Sequence, residues 1–323
     1  MQYVLILTCS VLLALGSQVQ AAAPQMYPAK IGTGSINGSF YSIGQELCTI
    51  INAKMRDNRV RMTAEITAGS VDNASKLGSQ EVSFGLVQAL HLYKASQGQG
   101  PWQGKPLKDL RIVLSLNSDN LLFMAADDSN INAVGDLKGK VVSVGQPDSG
   151  HRSNALDLLA AAGIDPAKDL KDTAMKPTEV GPAMESKAID AFFFAAGHPN
   201  NTMRYAAAGS RKVHFVPLSS DVINRLLTQT PGYVATTVPI KYYPGVSNSN
   251  DPATVASRVF LCTRADVPDE VVYAVAKEVY GKIGQMKTQD PGLDHLNIKE
   301  IAADLPVPMH PGAEKYFKES GLL

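Results

Sequence analysis

The sequence has no charge excess, few cysteines and no catalytic signature. Lys plus Arg total 30 and Asp plus Glu total 30, so the net charge is zero. Nucleic-acid backbones are held by a clear basic excess, and none is available here. No run of like charges is long enough to form a tail. Cysteine occurs only at Cys9, Cys48 and Cys262. The last two sit in apolar surroundings with no His or basic cluster beside them, which predicts buried thiols and not catalytic ones. One disulfide is the alternative if the chain is exported. No G-x-S-x-G elbow, H-E-x-x-H or C-x-x-C is present. The histidines His91, His151, His198, His214, His295 and His310 are scattered, and none pairs at metal-ligand spacing. The expectation is therefore no metal, no cofactor and no enzyme activity. The chain also lacks internal repeats, low-complexity segments and a flexible linker.

Hydrophobic residues make up 45% and charged residues 19%, a globular composition. At 323 residues the chain can build two domains with a sizeable core. Residues 3–15, YVLILTCSVLLAL, form an apolar stretch too short to span a bilayer. Small residues follow, with A-x-A-like cleavage sites ending at Ala21 and Ala23. This predicts a signal peptide over 1–23 and a periplasmic mature protein, although no Lys or Arg precedes the apolar stretch. No later apolar stretch approaches the length of a membrane span.

Strand and helix signals alternate along the remainder. Alternating apolar residues mark a strand at 60–66, and Ile43, Leu47, Ile50 and Ile51 form a helical stripe. Apolar runs at 82–88, 111–116, 121–126, 141–145, 191–197, 213–218 and 256–264 read as further strands. Ser70 and Ser149 are candidate helix caps. The alternation predicts an α/β fold with a mainly parallel sheet. Two domains without a linker are joined by strands that cross between them, and 121–126 and 256–264 are the candidates.

Ile31-Gly32-Thr33-Gly34-Ser35-Ile36-Asn37-Gly38 ends a strand and opens a helix. Its third glycine comes one residue too late for a dinucleotide fingerprint, and no Lys follows as in a phosphate-cradling loop. Thr67-Ala68-Gly69-Ser70 and Gly145 to His151 repeat the build, a strand end leading into a helix start. Backbone N–H groups at helix N-termini attract anions. Three such turns at the carboxyl ends of strands predict capture of a small anionic solute.

Five segments in this order, IGTGSINGSFYSIG, ITAGSVDNASKLGSQEVSFGLVQA, DLKGKVVSVGQPDSG, AIDAFFFAAGHPN and PVPMHPGAEKYFKESGLL, resemble the TAXI proteins. These are the solute-binding proteins of tripartite ATP-independent periplasmic (TRAP) transporters. The resemblance covers about residues 28–323. It implies a type II periplasmic binding-protein fold, two α/β lobes joined by crossing hinge strands. Lobe 1 would be 28–122 plus 256–323, and lobe 2 would be 123–255. The implied ligands are glutamate-like amino acids or C4 and C5 dicarboxylates and oxo acids, delivered to TRAP permease membrane subunits by a monomeric receptor. The alternative on the same fold is the ligand-binding subunit of a membrane sensor kinase.

Carried over by position, the ligand would meet Thr33, Gly34, Ser35 and Tyr41, then Gly69, Ser70, Val71 and Asn73, and Gln88 at a strand end. Ser149, Gly150, His151 and His198 would close the site from lobe 2. The sequence departs from the family at His151, where a Thr is usual, and at Ser35-Ile36-Asn37 with Phe40-Tyr41. Arg152 is a further candidate, through bidentate contact with a second carboxylate.

Overall fold

The computed structural model describes residues 25–229, 232–289, 293 and 305–323. The expected signal peptide lies outside the described residues. The chain begins with β1 (Tyr27–Gly32), α1 (Ser39–Ala53), α2 (Met55–Asn58), β2 (Val60–Glu65), α3 (Ser70–Gly78), β3 (Phe84–Gln88), α4 (Ala89–Gln97) and β4 (Leu110–Ala126). It continues with β5 (Val141–Ser143), α5 (Gly150–Ala161), α6 (Pro166–Asp169), β6 (Lys171–Asp172), α7 (Pro177–Glu185) and β7 (Ala191–Ala196). Next come α8 (Asn201–Ala208), β8 (Val213–Val216), α9 (Ser220–Gln229) and β9 (Tyr233–Thr237), and finally β10 (Ala253–Arg264), α10 (Asp269–Gln289) and α11 (Pro311–Glu319).

The strands follow the order β2-β1-β3-β10-β4-β7-β5-β6, with β8 paired to β4 and β9 to β10. Parallel pairing is confined to the flanks, β2-β1-β3 on one side and β7-β5-β6 on the other. The middle is antiparallel, because the chain leaves the first half along β4 and returns along β10. The expectation of a mainly parallel sheet is thus corrected to a mixed one.

The two strands expected at 111–116 and 121–126 are one strand, β4. The polar run Asn117-Ser118-Asp119-Asn120 reads as a break, but its backbone pairs with Ala256, Ser257 and Arg258 of β10. Its side chains find partners as well, Asn120 donating to the Thr237 carbonyl at 2.9 Å. Both crossing strands therefore run through the junction between two separately packed halves.

Each half buries both faces of its sheet. In the first, Ile31, Ile43, Leu47, Phe84 and Phe317 pack on one face, and Leu77, Val87, Trp102 and Phe260 on the other. In the second, Leu121, Phe123 and Phe193 join Leu158 and Leu159 on one face, while Leu122, Met124, Phe192 and Phe215 join Met203 on the other. The period-2 alternation along β4 sends Leu121 and Phe123 one way and Leu122 and Met124 the other. Each such buried side chain contributes about 1.5–3 kcal/mol. Cys48 and Cys262 are free, buried thiols in different clusters, with no disulfide between them. Burial pushes the Cys48 thiol up to about 11.

Candidate functional site: a cleft between the two halves

The parallel strands β1, β2 and β5 point their carboxyl ends toward one junction. The loops that follow them start α1, α3 and α5 there. Between these loops lies a narrow cleft, part of it open to solvent. Gly34, Ser35, Phe40, Gly69, Ser70 and Gln88 line it from the first half, and Gly150, His151 and Phe194 from the second. Asp119 forms part of the wall from the crossing strand β4.

The helix starts are built to leave donors free. The residues preceding α1 and α3 are Gly38 and Gly69, and neither helix receives a side-chain cap. A Ser or Asp at those positions would accept the first-turn N–H groups, and glycine does not. Ser70, expected as a cap, is instead the first helical residue, and its Oγ accepts from the Gln88 backbone N–H at 3.2 Å. In α5 the cap is Ser149, whose Oγ accepts from Arg152 N–H at 3.1 Å and donates to the Gln146 carbonyl at 2.7 Å. The starts of α3 and α5 face each other closely. A Cβ added to Gly150 would lie 3.1 Å from Ser70 Cβ.

A buried hydrogen-bond chain ties the two halves behind the cleft. Gln88 Nε2 donates to Asp119 Oδ2 at 2.7 Å, and Gln88 Oε1 accepts from Asn154 Nδ2 at 2.6 Å. Tyr233 Oη donates to Asn154 Oδ1 at 3.1 Å. Nearby, Lys94 of α4 pairs with Asp157 of α5 at 2.8 Å.

Asp119 is 1% exposed. Burial raises its carboxyl to about 7, against the opposing pull of donors from Gln88, Asn117 and the Gly197 backbone. His151 stacks on Phe194 with ring centroids 4.4 Å apart. Its Nδ1 accepts from the Ala195 N–H at 3.2 Å. Burial lowers its pKa to about 4, so the ring is neutral and carries its proton on Nε2, a donor for the cleft.

The carried-over residues fall into two groups. Gly34, Ser35, Gly69, Ser70, Gln88, Gly150 and His151 line the cleft. The others stand behind it or away from it. Thr33 is buried, and its Oγ1 donates to the Glu65 carbonyl at 2.6 Å. Asn73 Nδ2 donates to the carbonyls of Thr33 at 2.7 Å and Leu86 at 2.8 Å, so Asn73 brackets two cleft loops to β3. Val71 belongs to the apolar core. Tyr41 does not line the cleft, and its hydroxyl accepts from Gln45 Nε2 at 2.7 Å on the outer side of α1. His198 Nδ1 lies 2.6 Å from the Tyr243 hydroxyl. Arg152 pairs with Asp172 at 2.7 Å and donates to the Gly145 carbonyl, so it stands outside the cleft wall.

Sequence reasoning placed Phe40 near the site without a role and missed Asp119, Phe194 and Pro177 as cleft-lining residues. For Asp119 a signal existed: an acidic residue between two apolar runs that a single strand would join.

Comparison with solved structures places the fold. The chain is similar to the periplasmic binding protein BugD, with 11% identity and a TM-score of 0.56 over 92% of this chain and 98% of that one. It is also similar to the alkanesulfonate-binding protein SsuA from Xanthomonas axonopodis pv. citri, bound to MOPS. There the identity is 14% and the TM-score 0.50, over 92% of this chain and 85% of that one. A putative L-cystine ABC transporter protein from Listeria monocytogenes matches with 13% identity and a TM-score of 0.50, over 84% of this chain and 99% of that one. These likenesses establish the two-lobe periplasmic binding-protein fold. The family model that matches is the NMT1-like family, over residues 31–321. That span takes in all the cleft loops and both crossing strands, and on it the chain belongs to the NMT1-like family.

Proposed function

We propose that the protein is an extracytoplasmic receptor that captures a small carboxylate between its lobes and delivers it to a membrane permease. The observation that carries this reading is the uncapped start of α1 and α3 at one cleft, opposite the start of α5. Free N–H groups and aligned helix dipoles give that cleft a positive potential without a cationic side chain. A carboxylate touching both lobes stabilises the closed form by its differential affinity.

The five ordered sequence segments support a TAXI receptor serving TRAP permease subunits, and the family's glutamate-like and dicarboxylate ligands define the first panel to try. The lobe division at 122/123 and 255/256 is part of the same proposal. Both boundaries fall inside the crossing strands β4 and β10.

Thermal unfolding with a panel of amino acids, dicarboxylates, oxo acids and monocarboxylates tests the reading. A ligand at 100-fold excess over its Kd adds about 2.7 kcal/mol of stability. No shift with any carboxylate would overturn the proposal.

A further inference from the structure

A receptor for dicarboxylates has no use for Asp119. This carboxylate is buried in the middle of a crossing strand and forms part of the cleft wall. Among the described residues, no Lys or Arg lines that cleft. The nearby cation Arg152 is committed to Asp172. The neutral His151 supplies no charge.

The partners of Asp119 are all uncharged. Gln88 Nε2 donates to Oδ2 at 2.7 Å and Asn117 Nδ2 to Oδ1 at 3.1 Å. The Gly197 backbone N–H also donates to the carboxylate. Two side-chain amides turn their N–H groups to this carboxylate, which suits the ionised form. An ionised carboxylate accepts at about four lone-pair positions, so one remains for a ligand.

Burial without a counter-ion disfavours the ionised form of Asp119, and a cation supplied by the ligand would restore it. A second ligand carboxylate would instead meet a like charge in a low-dielectric site. Phe40, Phe194, Pro177 and Ala195 form an apolar part of the remaining wall, beside the uncharged polar residues Ser35, Ser39 and Gln146. It offers no cationic side chain to a second ligand carboxylate.

We propose that Asp119 is the specificity-determining residue of the cleft, and that the ligand is an α-amino acid with an uncharged side chain. Its ammonium group pairs with the Asp119 carboxylate, while its own carboxylate takes the helix starts. The assignment rests on the receptor reading above and narrows it: a zwitterion matches a cleft with one buried carboxyl group and three positive helix ends, and a dicarboxylate brings no cation to that group.

Isothermal titration calorimetry on the purified protein tests this with matched pairs: alanine against propanoate, leucine against isocaproate, phenylalanine against hydrocinnamate. Succinate and oxoglutarate complete the set. The expected result is that a neutral amino acid binds roughly 10- to 100-fold more tightly than its deaminated partner, the worth of one charge-assisted pair. Asp119→Asn, which keeps shape but removes charge, should erase most of that ratio. If the variant fails to fold, the wild-type ratio alone decides. A deaminated acid or dicarboxylate that binds as tightly as the amino acids overturns the Asp119 assignment and leaves the receptor standing. Binding of no carboxylate at all overturns both.

Discussion

Gly69 has φ 98° and ψ −152°, a backbone region that only glycine occupies readily. A Cβ there would meet no atom within 4 Å, so the constraint is the backbone alone. Gly69→Ala should cost about 1–3 kcal/mol in denaturant unfolding and re-aim the first amides of α3, weakening ligand binding. Equal stability would show that the loop relaxes to another conformation. Gly150 is limited differently, by the close approach of Ser70. The aromatic pair Phe40-Tyr41 divides its work: Phe40 lines the cleft while Tyr41 bonds Gln45 on the outer side of α1. Phe40→Ala is expected to weaken binding, and Tyr41→Phe to leave affinity unchanged in calorimetry. At this scale the glycines are legible in the sequence, because turn geometry demands them locally. Which of two adjacent aromatics faces the cleft is not, because it depends on the residue at which α1 begins.

At the scale of elements, the cleft is held by contacts between helices and crossing strands. Asn154 on α5 receives Tyr233 and donates to Gln88, and so connects β9, α5 and β3. Asn154→Ala leaves a buried amide oxygen and a buried hydroxyl without their partner. This should cost about 1–3 kcal/mol. If the bridge also holds the lobes together, the ligand-free variant should show a larger radius of gyration in small-angle scattering, and an unchanged radius would assign Asn154 to stability alone. The strands and their apolar alternation are readable from sequence in both halves. The length of β4 is not: Asn117 to Asn120 looks like a loop until β10 and β9 supply the partners that allow a polar run inside a sheet.

The whole molecule carries its buried titratable groups in opposition. Burial lowers His91 from its ordinary 6.5 to about 3 and His151 to about 4. Between pH 4 and 6.5 the unfolded chain takes protons on both rings that the folded chain refuses, so these groups add stability as pH rises. Asp119 acts in the other sense. Folded, it protonates near 7 and unfolded only near 3.8, so its contribution falls as pH rises across that range. Burial also lowers His310 and raises Asp157, so three imidazoles stand against two carboxyls and leave a net gain toward pH 6.5. Denaturant midpoints measured across this window should rise with pH. His91→Leu should flatten the rise by up to one proton, about 1.4 kcal/mol per pH unit. An unaltered slope would mean that His91 protonates freely in the folded protein.

Local physics determined a good part of this protein from its sequence. Glycine-rich turns after strands and apolar periodicity point to an α/β fold whose helices start at glycine turns, because each depends on neighbours in the chain. The cleft itself was decided by tertiary structure. Asp119 belongs to the site because β4 crosses between the halves and brings it to Gln88 and Asn117. Arg152 stands outside it because Asp172, on another strand, takes its charge. A side chain's role in a cleft depends on partners far away in sequence, and only the packed sheet brings those partners together.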